Sequence, residues 1–202
     1  VAQYIGNKDR ERASLSASQL MTLAAAVSIF VMVFSLVFRH GIMTLFYGNI
    51  EEDVRQAALT YLLITALSYP FLGVYNAGAA LFRSMGKTSK TMQVSMIMNL
   101  INVVGNFIGI FILKAGVVGV AVPTLLGRMF ACFAMSYMAF NKENQVYVEW
   151  KSILQWNTEF VRRLAKIAIP NGIENGFFAM GKLLVTSIVS LFGTHQIAAS
   201  AA

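Results

Sequence analysis

Long uncharged runs separated by short charged blocks dominate the chain. Leu20 to Phe38 holds 19 uncharged residues, and at about 1.5 Å per residue such a helix covers a hydrocarbon core of roughly 30 Å. Ala57 to Phe82 and Thr91 to Leu113 are likewise uncharged; Val120 to Phe140 carries Pro123 and Arg128, and Leu164 to Phe192 carries Lys166, Glu174 and Lys182. The pattern predicts transmembrane helices over about 20–38, 57–82, 91–113, 120–140 and 164–192, hence an all-α, polytopic membrane helix bundle. Pro70 cannot donate its backbone nitrogen and should bend the second helix or open one of its hydrogen bonds.

The polar blocks supply the topology. Val1 to Ile5 reads as the exit of a truncated span, followed by a charged turn from Gly6 to Arg12. Glu51, Glu52 and Asp53 suit the positive end of the next helix dipole. Asn141 to Arg163 is the longest polar stretch and is the expected linker between two halves. Within it Trp150, Ile153, Leu154, Phe160, Val161 and Leu164 recur at helical spacing, as in an interfacial helix with Trp150 and Trp156 at headgroup level or an amphipathic connector without lipid contact. Alternation across the membrane puts Lys8, Arg10, Arg12, Arg83, Lys87, Lys90, Lys142, Lys151, Arg162, Arg163 and Lys166 on one side, and only Arg39, Arg55 and Lys114 on the other. The positive-inside rule makes the first side cytoplasmic, in the plasma membrane.

Composition narrows the chemistry. Hydrophobic residues make up 57% and charged residues 12%, far below the charge of a soluble domain. The net charge of +7 resides in blocks between apolar runs, which points to the lipid bilayer as partner and away from nucleic acid. Cys132 is the single cysteine, so no intrachain disulfide can form. Neither metal-ligand spacing nor a nucleophile–base pair occurs in the spans, and His40 and His195 read as solvated loop residues, so no enzyme, metal or cofactor is expected.

Polar residues inside the apolar runs are the candidate functional groups. Ser95, Asn99, Asn102 and Asn106 follow at steps of four, three and four, so they share one helical face that lines a cavity or bonds to a neighbouring helix. Thr65, Tyr69, Gly73 and Asn76, with Tyr75 beside them, form a similar face able to hold a cationic or amphiphilic ligand, or to act as polar glue. Arg128 would bind an anionic group or pair with carbonyls or a carboxylate. Glu174 is the most demanding residue, because a charge deep in hydrocarbon costs roughly 2.5–3.5 kcal/mol on insertion scales and marks an ion or substrate path. Pro170, Asn171, Phe177, Phe178 and Gly181 lie near it around the helix axis, and Gly172 and Gly176 form a GxxxG pair. Lys182, eight residues on, is too far along the axis for a direct pair. Glu174 and Asn171 are therefore the candidates for exchanging a proton or a sodium ion. Tyr69, Tyr75, Asn76, Asn99, Asn102, Asn106 and Phe178 are the candidates for lining a cavity for a small organic substrate.

QYIGNKDRERA, SYPFLGVYNAGAALFRSMGKTSK, SMIMNLINVVGNFIGIFIL with GVVGVAVPTLLGR, and IAIPNGIENGFFAMGKLLVTSIVSLFGT resemble, in order, successive segments of the multidrug and toxic compound extrusion (MATE) transporters. The resemblance implies a twelve-helix, two-lobe transporter. Here 1–140 would form most of the amino-terminal lobe, 141–163 a cytoplasmic interlobe linker, and 164–202 the start of the carboxy-terminal lobe. It also implies secondary antiport of organic, often cationic, drugs or metabolites against protons or sodium ions by alternating access. An acid of the seventh span takes part in cation coupling in some members, and Glu174 occupies that helix. The remaining spans, with any further acids, would lie outside this sequence, which starts at Val1 and reads as a piece of a longer chain. A lipid-linked oligosaccharide flippase of related fold is the alternative.

Overall fold

The computed structural model describes residue 4 and residues 6–7, 9–47, 52–149 and 158–190. Its helices are α1 (Arg10–Val37), α2 (Arg39–Tyr47), α3 (Glu52–Leu67), α4 (Tyr69–Ser84), α5 (Thr88–Phe107) continued by a π-helical turn (Ile108–Ile112), α6 (Val118–Ala139) and α7 (Thr158–Ser190). There is no strand among the described residues. Two units result, Val1–Trp156 and Asn157–Ala202, and each is described by itself. Trp150, Ile153, Leu154, Trp156, Glu51, Lys8, Lys151, His195 and the end of the last predicted span lie outside the described residues.

Three helical segments, Arg10–Val37, Thr88–Ile112 and Val118–Ala139, are long and apolar enough to cross a membrane. The pair α3 and α4, bent by 42°, passes the same test as one broken span. The fifth expected span is not in this set. α7 is 33 residues long, but Lys166, Asn171, Glu174, Asn175 and Lys182 dilute its apolar character.

α1 starts well before the expected position 20. Asp9 caps it by accepting a hydrogen bond from the Arg12 N–H at 3.1 Å, satisfying one of the free donors of the first turn. The first turns then bury a stripe of small residues, Ala13, Ser14, Ala17 and Ser18, followed by Met21, against the rest of the unit. Small side chains suit this surface because lipid supplies no hydrophobic squeeze between helices, so close contact must hold them together. α4 answers with Gly73, where an added Cβ would lie 2.6 Å from that of Ser28, and Gly78, which abuts Met135 of α6 and Met21.

The α5–α6 pair is the tightest junction. Gly109 and Gly119 meet backbone to backbone: a Cβ on Gly109 would fall 2.1 Å from the Gly119 carbonyl oxygen. A Cβ on Gly105 would fall 2.6 Å from Pro123 Cβ, and one on Gly127 2.6 Å from Asn102 Nδ2. Small residues spaced four apart on each helix thus interlock in antiparallel register, and the π-helical turn falls at this closest approach.

The α3–α4 break lies at Ser68, two residues before Pro70. Proline is tolerated in the first turn of α4, where no intrahelical donor is required. Ser68 closes the end of α3 instead, its N–H and Oγ both donating to the Thr65 carbonyl at 3.0 and 2.6 Å.

The segment 141–149, the start of the expected linker, packs within the first unit. Buried Asn144 donates through Nδ2 to the carbonyls of Met138 (2.7 Å) and Asn141 (3.1 Å), and its Oδ1 accepts from Lys87 Nζ at 2.8 Å. Arg10 donates to the carbonyls of Lys142 and Asn144 at 3.0 and 2.8 Å. Farther on, the Tyr147 and Glu149 N–H groups donate to Ser14 and Ser18 Oγ at 3.4 and 3.0 Å, while Val146 and Val148 are buried. The Tyr147 hydroxyl is raised above the usual tyrosine range by its hydrogen bond to Glu149 and that carboxylate's charge, while Arg10, stacked 5.6 Å over the ring, acts in the opposite sense. These bonds bring the start of α1, the α4–α5 turn and the end of α6 to one end of the bundle. Arg10, Arg12, Arg83, Lys87, Lys90 and Lys142 gather there, as the alternation of spans requires.

Large apolar side chains cover the outside. Phe30, Phe34 and Val37 on α1, Met96, Leu100, Val103 and Phe107 on α5, and Phe133 on α6 are all exposed, the surface a bundle presents to lipid.

Two outcomes follow. Gly109→Ala forces backbone apart and should cost about 1–3 kcal/mol, lowering the melting temperature of the detergent-solubilised protein. Gly41→Ala, whose added Cβ meets open space, should not lower it; equal melting of the two variants would contradict the interlock. Asn144→Ala should cost a similar amount, about 1–3 kcal/mol for stranded buried partners. Hydrogen exchange should then rise at the Tyr147 and Glu149 amides, with α5 and α6 still protected.

Candidate functional site

The predicted site residues fall in both units. On α7, Asn171 and Glu174 lie three residues apart and Phe178 follows four residues after Glu174, so one stretch of helix carries an amide, a carboxylate and an aromatic ring. Helix continues through Pro170, which cannot donate to the Lys166 carbonyl. Asn175 Nδ2 donates to the Asn171 carbonyl at 2.8 Å, leaving the Asn171 side chain uncommitted to that bond. Asn171, Glu174, Phe177 and Phe178 are exposed on this helix, and Glu174 belongs to no ion pair among the described residues. Chemically the stretch offers oxygen ligands able to hold a proton or a hard monovalent cation.

The polar residues of the first unit differ in exposure and partners. Tyr69 stands half-buried at the first position of α4, beside the break that separates it from Thr65. Tyr75 is 8% exposed within the apolar core, whereas adjacent Asn76 is exposed. Asn99 is also exposed. Asn102 donates to the Met98 carbonyl of its own helix at 2.9 Å and packs at Gly127 of α6. Asn106 keeps a buried Oδ1 without a hydrogen-bond donor.

Arg128 acquires a partner that sequence reasoning missed. It lies at the middle of α6 and its Nη1 donates to Ser68 Oγ, so a cation halfway along one span is tied to the break halfway along another. Arg128 makes no other hydrogen bond or ion pair among the described residues. The Thr65 Oγ1 nearby in sequence is buried and unpartnered. Ser68 carries a recognisable signal, a hydroxyl two residues before a proline inside an apolar run, but nothing in the sequence pairs it with a residue sixty positions away. No group of three His, Cys, Asp or Glu residues gathers among the described residues.

Known proteins resemble the chain along its length. The MatE family model matches residues 1–108. The uncharacterized transporter YisQ of Bacillus subtilis is 26% identical over 98% of this chain and 44% of its own length. The probable multidrug resistance protein NorM of Bacillus thuringiensis subsp. konkukian is 28% identical over 98% of this chain and 45% of its own. A solved inward-facing structure of a multidrug resistance MATE family transporter of the MOP superfamily superposes with a TM-score of 0.75 at 20% identity, over 84% of this chain and 38% of that one. The chain thus spans less than half the length of these relatives. With more than half of its residues matched by the family model and its helical fold shared with a solved member, the chain belongs to the MatE family of membrane transporters, whose members are not enzymes.

Proposed function

We propose that the intact protein is a secondary antiporter that expels organic, often cationic, compounds in exchange for protons or sodium ions by alternating access. The observation that carries this reading is Glu174, a carboxylate with Asn171 one turn before it on α7, in a chain of a transporter family that includes relatives named for multidrug resistance. A carboxylate deep in a membrane segment marks an ion or substrate path. In this reading the first unit is most of one lobe, α7 opens the other, and Tyr69, Asn76, Asn99 and Phe178 contribute to the substrate path. The basic end of the first unit faces the cytoplasm, as positive-inside placement requires.

Glu174→Gln keeps shape and removes the charge. In proteoliposomes of the intact protein it should reduce ion-driven substrate uptake roughly tenfold or more, within the usual range of coupling between two sites, with folded yield maintained. Unchanged coupled uptake would remove Glu174 from the mechanism, and transport of a polyprenyl-linked sugar that drugs do not inhibit would favour a flippase. For topology, Lys90→Cys and Lys114→Cys can be placed singly in a cysteine-free background. An impermeant maleimide added to whole cells should label position 114 and spare position 90 until the cells are opened. The reverse pattern would invert the orientation.

A further inference from the structure

The basic end of the first unit contains a cavity of about 630 Å³ for which the transport reading has no use. Its shape follows from local chain geometry. α4 ends with Gly86 at φ 73° and the Lys87 N–H donating back to the Phe82 carbonyl at 2.9 Å, the six-to-one closure of a glycine-terminated helix. That turn aims Lys87 at Asn144 and starts α5, which places Lys90 in its first turn. The last turns of α6 bring Tyr137 and Phe140, and the docked segment after α6 brings Glu143; these residues line the cavity together with Lys87 and Lys90.

Charge and polarity select the occupant. Lys87 is held by the Asn144 amide oxygen at 2.8 Å. Lys90 is exposed, and its ammonium group makes no hydrogen bond or ion pair among the described residues. Glu143 opposes them with a single carboxylate, positioned by Asn141, whose Oδ1 accepts from the Glu143 N–H at 3.0 Å. The cavity is therefore net cationic, with aromatic walls. An apolar path leads away from it: Tyr137 (83% exposed), Phe133 (61%), Phe130 (38%) and Leu126 (52%) follow one another at steps of four, three and four down one side of α6. Eleven residues of helix span about 16 Å, close to the depth of one leaflet of a bilayer whose core is roughly 30 Å. A phosphate-binding pocket for a soluble compound would not require that stripe, whereas a lipid uses both parts.

We propose that this cavity is a binding site for an anionic phospholipid, its phosphate and headgroup between Lys87 and Lys90 and its acyl chain along Tyr137, Phe133, Phe130 and Leu126. The ring of Tyr137 sits at the polar–apolar boundary, where tyrosine is favoured. Glu143 weakens the site and makes it selective for headgroups able to keep away from its carboxylate.

The test is native mass spectrometry of the intact protein released from detergent in the presence of equal phosphatidylglycerol and phosphatidylcholine. Wild-type protein should retain phosphatidylglycerol preferentially. Lys90→Gln should lower that preference about fivefold, the worth of one lysine beside an anionic lipid surface, Glu143→Gln should raise it, and Lys114→Gln at the opposite end should leave it unchanged. All three positions are exposed, so folding should be preserved, which thermal melting verifies. Equal retention of the two lipids, equal losses from Lys90→Gln and Lys114→Gln, or displacement of phosphatidylglycerol by soluble glycerol phosphate would overturn the proposal.

Discussion

The contact on which the first unit depends is the backbone approach of Gly109 to Gly119. No side chain fits between them, since an added Cβ on Gly109 would lie 2.1 Å from a carbonyl oxygen. Within a bilayer the helices gain nothing by hiding apolar surface from lipid, so contact at this range, summed over Gly105 with Pro123 and Gly127 with Asn102, is what gives the pair its register. Register then decides chemistry. With α5 and α6 fixed, Arg128 meets Ser68 at the α3–α4 break, and the end of α6 delivers Tyr137 and Asn144 to the basic end of the bundle.

Hydropathy anticipated the long apolar helices of the first unit, three that are each long enough to cross a membrane and the α3–α4 pair that is so only jointly, because uncharged runs of this length have few other solutions. It misplaced the start of α1, where Ala13, Ser14, Ala17 and Ser18 read as weakly apolar yet are buried by packing of small groups. Pro70 announced a bend, and the break came two residues earlier because a proline is comfortable in a first helical turn. The bonds that hold the segment 141–149 were not legible, since single-sequence patterns do not reveal side-chain bonds between distant residues. Asn144 alone joins Lys87 to the end of α6, and Arg10 reaches across more than a hundred positions to the same loop. Among candidate site residues, the three asparagines of α5 share a helical face, as their spacing requires, but their surroundings differ: Asn99 is exposed, Asn102 bonds its own backbone, and Asn106 keeps a buried oxygen unpartnered.

Arg128 and Glu174, each well inside a long predicted span, differ in their surroundings. Arg128 is tied within the first unit to a hydroxyl at a helix break, a bond that fixes structure. Glu174 belongs to no ion pair among the described residues, stands beside an amide and two aromatic rings, and lies on the helix that opens the second unit. A fixed, partnered cation and an accessible acid are chemically distinct, and the proposed ion coupling rests on the second.

Coupled export is tested most directly by reconstituting the intact protein in sealed vesicles and imposing a sodium or proton gradient opposite to a fluorescent organic cation. Accumulation of the cation against its own gradient, abolished by an ionophore that dissipates the driving ion, is the predicted result. Equilibration of the cation to equal concentrations on both sides, indifferent to the ionophore, would contradict antiport and leave a passive pathway.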